Sequence, residues 1–133
     1  GNVVFIFKHF PVYGPDSVTA GMASMCAHDQ NKFWEFHDQL YQNQESTGSG
    51  WASSDNMKGF ASFIGLDREQ FDTCLDSEKY KSYVEGDRDL ALGLGLPVTP
   101  SFVIMKNDGT ERENMFGAQP FTSFQTVINK KLT

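Results

Sequence analysis

The stretch Leu-Pro-Val-Thr-Pro-Ser-Phe-Val-Ile-Met, residues 96–105, carries most of the information about the fold. Pro97 and Pro100 stand immediately before an apolar run that has the composition of a buried strand. Because proline lacks an N–H group and restricts the residue before it, the backbone turns sharply there and leaves peptide groups that the sheet does not pair. Such groups at the start of a strand are suited to binding an extended peptide.

The size and composition of the chain indicate one globular domain. Its 133 residues, with twelve phenylalanines among 14% aromatic residues, provide ample apolar surface for a single core. No apolar run approaches the roughly 20 residues that span a bilayer. The chain starts Gly-Asn-Val, with neither an initiator Met nor a basic leader. We therefore expect the true N-terminus to lie upstream.

The charge of the chain disfavours a nucleic-acid partner. Eleven basic and seventeen acidic residues give a formal net charge of -6 and a pI near 4.9. A protein with this charge repels phosphate backbones and anionic lipid headgroups. The sequence therefore predicts neither nucleic-acid binding nor attachment to an anionic membrane surface.

The pattern of the first two thirds of the chain predicts one strand followed by helices. Residues 3–7, Val-Val-Phe-Ile-Phe, form a continuous apolar run that is typical of a strand buried on both faces of a parallel or mixed sheet. Asp16 or Ser17 is expected to cap the first helix, and Asp67 to cap a later one after a C′ glycine at Gly65. The predicted helices cover residues 17–29, 32–42, 55–64, 67–75 and 79–94.

The C-terminal part of the chain predicts a hairpin and a closing helix. Residues 101–105 form a strand, Asn107-Asp108-Gly109 a turn, and the residues around Met115-Phe116 the antiparallel partner. A helix then starts at Pro120. The result is an α/β layer with helices inserted between its halves. Because three strands make a thin sheet, a further strand is expected to be missing or supplied from outside.

Several blocks of the sequence together resemble the DsbA family of thiol-disulfide oxidoreductases, which has a thioredoxin fold with a helical insertion. The most specific are Lys-Phe-Trp-Glu-Phe-His-Asp at 32–38 and the Thr99-Pro100 strand entry; the blocks as a whole are residues 3–11, 25–41, 71–80, 98–104 and 116–121. The resemblance implies one α/β domain without its first βα unit. Its thioredoxin-like part would be residues 1–14 and 95–133, and its helical insertion residues 15–94.

The resemblance also implies a function and a site. Proteins of this family oxidise or isomerise cysteines in extracytoplasmic polypeptides, which places this chain in the periplasm, outside the cell or tethered to a membrane. A cis Thr99-Pro100 bond would face the redox dithiol, and Val98, Thr99 and Pro100 would contact the substrate. The implied partners are cysteine-containing polypeptides and a membrane or soluble redox partner, with no cofactor.

The chain departs from the family in lacking a Cys-x-x-Cys motif. In the family this motif begins a helix, whose N-terminus lowers the pKa of the first thiol. Those residues would precede Gly1, so no catalytic residue is assigned and whether this chain is itself an enzyme stays open. The alternative is a non-catalytic peptide-binding or assembly module on the same scaffold; a glutathione-dependent enzyme has less support.

The missing unit has a structural consequence. In the family the absent strand lies between the strand at 3–7 and the strand at 101–105. Without it, two apolar strands face a gap of about 10 Å, because neighbouring strands are ~4.8 Å apart. We therefore expect this chain to associate with itself.

Cys26 and Cys74 have two interpretations. They are either a structural disulfide or two buried, inert thiols. A disulfide closing so long a loop would add ~4 kcal/mol in the chain-entropy model. The resemblance favours the disulfide, because the family works in oxidising compartments.

The remaining polar residues predict no further site. His9, His28 and His37 match no metal-ligand spacing, and Trp34 and His37 are interpreted as packing residues. The Gly93-x-Gly95 pair lacks the context of a dinucleotide loop. The acidic residues are interpreted as lying on solvent-exposed helix faces. They include Glu35, Asp38, Glu45, Asp67, Glu69, Asp72 and Asp76.

Overall fold

The computed structural model describes residues 1–133 as helices joined to one small sheet. By contacts between residues, the chain divides into two compact units, a helical unit at Lys8–Asp89 and a sheet unit made of Gly1–Phe7 with Leu90–Thr133. The domain boundaries expected from sequence, at residues 15 and 94, stay a prediction. The elements in chain order are α1 (Pro15–His28), α2 (Phe33–Gln42), α3 (Ser54–Phe63), α4 (Arg68–Asp76), α5 (Lys81–Gly93), β1 (Ser101–Ile104), β2 (Glu113–Phe116) and α6 (Phe121–Leu132).

The helices begin where local capping chemistry allows. The Asp67 carboxylate accepts a hydrogen bond from the Gln70 N–H at 2.9 Å, which confirms Asp67 as the N-cap of α4. Just before it, Gly65 has a φ of 76° and Leu66 N–H donates to the Ala61 carbonyl at 2.9 Å. This positive φ ends α3 and explains why glycine occupies the C′ position.

The prediction of the first cap was wrong. α1 begins at Pro15, after Gly14 with a φ of 83°, so neither Asp16 nor Ser17 occupies the N-cap position. The Asp16 carboxylate instead accepts a hydrogen bond from the Gly50 N–H at 3.0 Å. Proline at the first helical position needs no partner for an N–H, so the helix starts there without a side-chain cap.

The core lies in the helical unit, where α1 packs against α2, α3 and α4. Phe36 and Phe71 are fully buried with ring centroids 5.5 Å apart, and Cys26 and Cys74 are buried beside them. Gly21 permits the closest approach, because a Cβ there would lie 2.9 Å from Val84 Cγ1. The interior therefore depends on aromatic and small residues that come from separate helices.

Trp34 and His37 pack against neighbouring rings of α2, with centroids 5.3 Å apart, but neither belongs to the buried core. Phe36 points into the core, whereas Trp34 and Tyr41 are exposed and His37 is half-buried. The helix has too many aromatic residues for one buried stripe, because only one face of it meets the core.

The sheet unit contains one antiparallel hairpin. Ser101 pairs with Phe116 and Ile104 with Glu113, so the sheet has two strands rather than three. The turn at 107–109 is confirmed: Gly109 N–H donates to the Lys106 carbonyl at 2.9 Å, and the chain passes through φ 81° at this glycine. α6 follows Pro120, and Phe124 on it contacts Phe102 of β1 at a centroid distance of 4.7 Å.

The predicted strand at 3–7 is wrong. No strand is formed there, and the sheet contains no parallel pair. Val4 is 74% exposed and Ile6 71% exposed, whereas the prediction placed this run inside the protein. The run has the side chains of a strand, but a strand also needs a neighbour for its N–H and C=O groups.

No helix of the protein combines the length and the apolar character that crossing a membrane requires.

Candidate functional site

The residues predicted to bind substrate form a corner at the start of β1. The Thr99–Pro100 peptide bond is cis, as the resemblance implied. The side chains of Val98 and Pro100 are exposed and Thr99 is half-buried. The corner therefore presents an apolar surface to solvent immediately before the strand.

Hydrogen bonds on both sides hold this corner in the sheet unit. The Ser101 hydroxyl donates to the Val98 carbonyl, and the Gly117 N–H donates to the Pro100 carbonyl at 2.8 Å. Upstream, α5 ends with Leu96 N–H donating to the Ala91 carbonyl at 3.1 Å. These bonds fix where the backbone leaves α5 and enters β1.

One edge of β1 has a strand partner and the other has none. β2 pairs along Ser101–Ile104 on one side, and the sheet order is β1-β2. An extended peptide can add to a sheet edge of this kind through main-chain hydrogen bonds. The corner at 98–100 leads directly into that edge.

The two cysteines form a disulfide in the helical unit. Cys26 Sγ and Cys74 Sγ are 2.05 Å apart, and the bond joins α1 to α4. Both residues are buried, and the chain has no free cysteine. Residues 1–133 therefore present no thiol for exchange with a substrate.

The three histidines lie in different environments. His9 is buried, His28 exposed and His37 half-buried. No group of three His, Cys, Asp or Glu residues is close enough to hold a metal ion.

The sequence analysis did not identify the buried carboxylate of Asp87. Asp87 on α5 is 6% exposed; it accepts a hydrogen bond from Lys8 Nζ at 2.9 Å and another from the His9 N–H at 3.0 Å. The hydrogen bond to Asp87 raises the pKa of Lys8, and burial lowers the pKa of His9. One signal was available: Asp87 lies one turn from the buried Val84, on the same helix face.

The family of the chain follows from a comparison with family models. Residues 1–129 match a model that describes the family Thioredoxin. The chain belongs to the thioredoxin family. The cis Thr99–Pro100 bond of this thioredoxin-family chain, which the resemblance implied, agrees with that assignment.

Curated relatives of this thioredoxin-family chain include disulfide bond formation proteins. It is 30% identical over 99% of its length to the "Probable disulfide bond formation protein D" of Bacillus cereus. It is also 30% identical, over 78% of its length, to the "Disulfide bond formation protein D" of Bacillus subtilis. The chain spans 59% of the first of these relatives and 48% of the second.

The chain is also similar in fold to a solved structure. DsbA2 of Pseudomonas aeruginosa matches with a TM-score of 0.74 and 20% sequence identity, over 94% of this chain and 69% of that one. This likeness shows a shared fold. The family model and the disulfide bond formation proteins confirm the relationship that the sequence blocks indicated, and the shared fold agrees with it.

Proposed function

We propose that this protein is a thiol-disulfide oxidoreductase of the DsbA family, which oxidises or isomerises cysteines in polypeptides outside the cytoplasm. The observation that carries the proposal is the 30% identity to a probable disulfide bond formation protein D over 99% of the chain. The exposed corner at Val98–Pro100 supports it, because it leads into an open strand edge.

The chemistry requires a dithiol that residues 1–133 do not contain. In disulfide exchange a thiolate attacks one sulfur of a disulfide, a mixed disulfide forms, and the other sulfur leaves as a thiolate. Cys26 and Cys74 are bonded to each other and buried. The redox Cys-x-x-Cys is therefore proposed to lie outside these residues, which contribute the surface that holds the substrate.

Substrate binding is proposed to use strand addition. An extended substrate segment would lie along β1 and Val98 would contact one of its side chains, while main-chain hydrogen bonds hold the segment irrespective of sequence. The partners are thus cysteine-containing polypeptides together with a membrane or soluble redox partner. A disulfide within the fold is consistent with an oxidising compartment.

Activity assays of two polypeptides test the function. The complete product of the gene that encodes these residues is expected to oxidise a reduced, unfolded peptide or to reduce insulin. The 133-residue chain alone is expected to show no turnover, because both of its cysteines are bonded. An inactive gene product would favour the non-catalytic peptide-binding module. Turnover by the 133-residue chain alone would contradict the proposed role of an outside dithiol.

A pair of variants tests the position of the substrate site. Val98→Asp in the complete gene product is expected to raise KM for a peptide substrate, because it places a charge at the apolar corner. Met105→Asp is the control, since Met105 is also exposed but follows the other end of β1. Equal KM values for the two variants would contradict a substrate site at residues 98–100.

Self-association of the 133-residue chain is a further expectation. The sheet unit exposes Val4, Ile6 and Phe121 and leaves one edge of β1 without a strand, which favours pairing with another copy. Light scattering coupled to size exclusion should show a mass that rises with concentration. The double variant Val4→Lys with Ile6→Lys should lower that mass.

The control for this experiment adds the same charge elsewhere. The exposed Gln42 and Gln44 can both be replaced by lysine. This double variant should associate like the parent chain. A parent chain that stays monomeric at every concentration would contradict the prediction.

A further inference from the structure

The Ser101 hydroxyl closes the corner that leads into β1. It donates a hydrogen bond to the Val98 carbonyl, three residues earlier in the chain. The Pro100 carbonyl, between them, accepts from the Gly117 N–H at 2.8 Å, on the side of β2. These residues all belong to the sheet unit, so the arrangement lies within one compact unit.

The hydrogen bond that the Pro100 carbonyl accepts determines which main-chain groups of β1 face its open edge. Successive residues of a strand direct their N–H and C=O groups to opposite sides. Because the Pro100 carbonyl points to β2, the main-chain groups of Phe102 and Ile104 point there as well. The N–H and C=O groups of Ser101 and Val103 therefore point to the edge that has no strand partner.

The Ser101 hydroxyl makes a hydrogen bond that the main chain makes in many β-turns. Residues 98–101 have a cis proline at the third position, as in a type VI turn. In a closed β-turn the carbonyl of the first residue accepts from the N–H of the fourth. Here that carbonyl belongs to Val98, and the donor is the side chain of Ser101. The Ser101 N–H therefore stays directed to the strand edge.

We propose that Ser101 is a positioning residue of the substrate site, because its hydroxyl satisfies the Val98 carbonyl and keeps the Ser101 N–H available for the main chain of a bound peptide. This inference rests on the proposed function, since it assigns a role within the same site. Ser101 is half-buried at the strand entry, and the Val98 side chain is exposed beside it in the corner. The ligand is an extended peptide segment held through its main chain.

Loss of the hydroxyl changes the partner of this N–H. The Val98 carbonyl is then left without its donor, and an unsatisfied carbonyl in a partly buried corner costs free energy. The N–H of residue 101 is the donor that turn geometry offers in its place. A bound peptide then loses one main-chain hydrogen bond, which corresponds to roughly three- to tenfold in affinity.

Binding of a redox-inert peptide to the full 133-residue chain tests the inference. The probe is a short fluorescein-labelled peptide of alternating threonine and valine without cysteine. The control peptide has the same side chains and a methyl group on every main-chain nitrogen, so it has no N–H donor for the edge. Fluorescence anisotropy is measured at a protein concentration where light scattering shows a monomer. The first peptide should bind, and the methylated peptide should not.

Two variants of similar shape isolate the hydroxyl. Ser101→Thr keeps a hydroxyl and should bind the peptide like the parent chain. Ser101→Val has the size of the threonine variant without its hydroxyl and should bind roughly three- to tenfold more weakly. Ser77→Ala is the matched control for Ser101→Ala, because the Ser77 hydroxyl also donates to a carbonyl three residues earlier, that of Cys74, but lies at the end of α4. Ser77→Ala should leave peptide binding unchanged.

Two further measurements separate positioning from a purely structural role. In the parent chain, peptide binding should slow amide hydrogen exchange at Ser101 and Val103 and leave Phe102 and Ile104, which pair with β2, unchanged. In Ser101→Val the amide of residue 101 should exchange slowly before any peptide is added. In the complete gene product, Ser101→Val should raise KM for a peptide substrate and leave kcat unchanged.

Several results would overturn the inference. They are absence of binding by the parent chain, equal binding of the two peptides, equal affinity of Ser101→Thr and Ser101→Val, or a loss on Ser77→Ala as large as that on Ser101→Ala. The binding assay contains no thiol chemistry. An inactive complete gene product would therefore count against the proposed function and leave the result for Ser101 as measured.

Discussion

Replacement of Cys26 and Cys74 together by alanine is expected to lower the free energy of unfolding by about 2–4 kcal/mol. The bond joins positions that are 48 apart in sequence, so its loss returns a large amount of conformational freedom to the unfolded chain. Urea unfolding followed by circular dichroism measures the effect. The loss of stability should affect the unfolding of the helical unit, because both cysteines lie there.

A reductant provides the control for this first prediction. Dithiothreitol should destabilise the parent chain by a similar amount, and it should leave the double alanine variant unchanged. If the parent chain unfolds at the same urea concentration with and without reductant, the disulfide contributes nothing to stability. A thiol count of the unfolded chain before and after reduction shows whether the bond was present.

Replacement of Phe71 by alanine is expected to cost about 3–5 kcal/mol of stability. Phe71 is fully buried on α4 and contacts the ring of Phe36 at a centroid distance of 5.5 Å. The variant therefore loses the burial of a large apolar side chain and leaves a cavity that neighbouring helices fill only in part. The same urea experiment measures the change in the unfolding midpoint.

Phe63→Ala is the matched control for Phe71→Ala. Phe63 is the same residue type on the neighbouring helix, but it is 77% exposed. Its replacement should change stability by no more than about 0.5 kcal/mol. If the two variants cost the same, Phe71 does not occupy the core as described.

The candidate site was predicted from sequence in part. The prolines at 97 and 100 before an apolar run indicated a sharp corner at a strand entry, and the structure has that corner. The assignment of substrate contacts to Val98, Thr99 and Pro100 came from the family resemblance and stays a prediction. Asp87 was missed, because nothing in the local pattern shows that its carboxylate meets Lys8 and His9.

The strand prediction at residues 3–7 failed for the same reason as the one that hid Asp87: the local sequence does not show which distant groups meet. A continuous apolar run with β-branched residues indicates how well a segment suits a strand, but pairing depends on a neighbour elsewhere in the chain. β1 pairs with such a neighbour, β2, which starts after eight intervening residues and a turn with strong local signals. Residues 3–7 have no adjacent hairpin partner in the sequence.

The amino-acid order alone determined the features that arise between residues close together in the chain. These include the cap at Asp67, the helix end at Gly65 and the turn before Gly109. Only the tertiary structure decided which distant groups meet, such as Asp87 with His9, 78 positions apart, and which face of α2 is left in water. The physical reason is that caps and turns are completed within a few residues, whereas burial depends on every element that packs around a side chain.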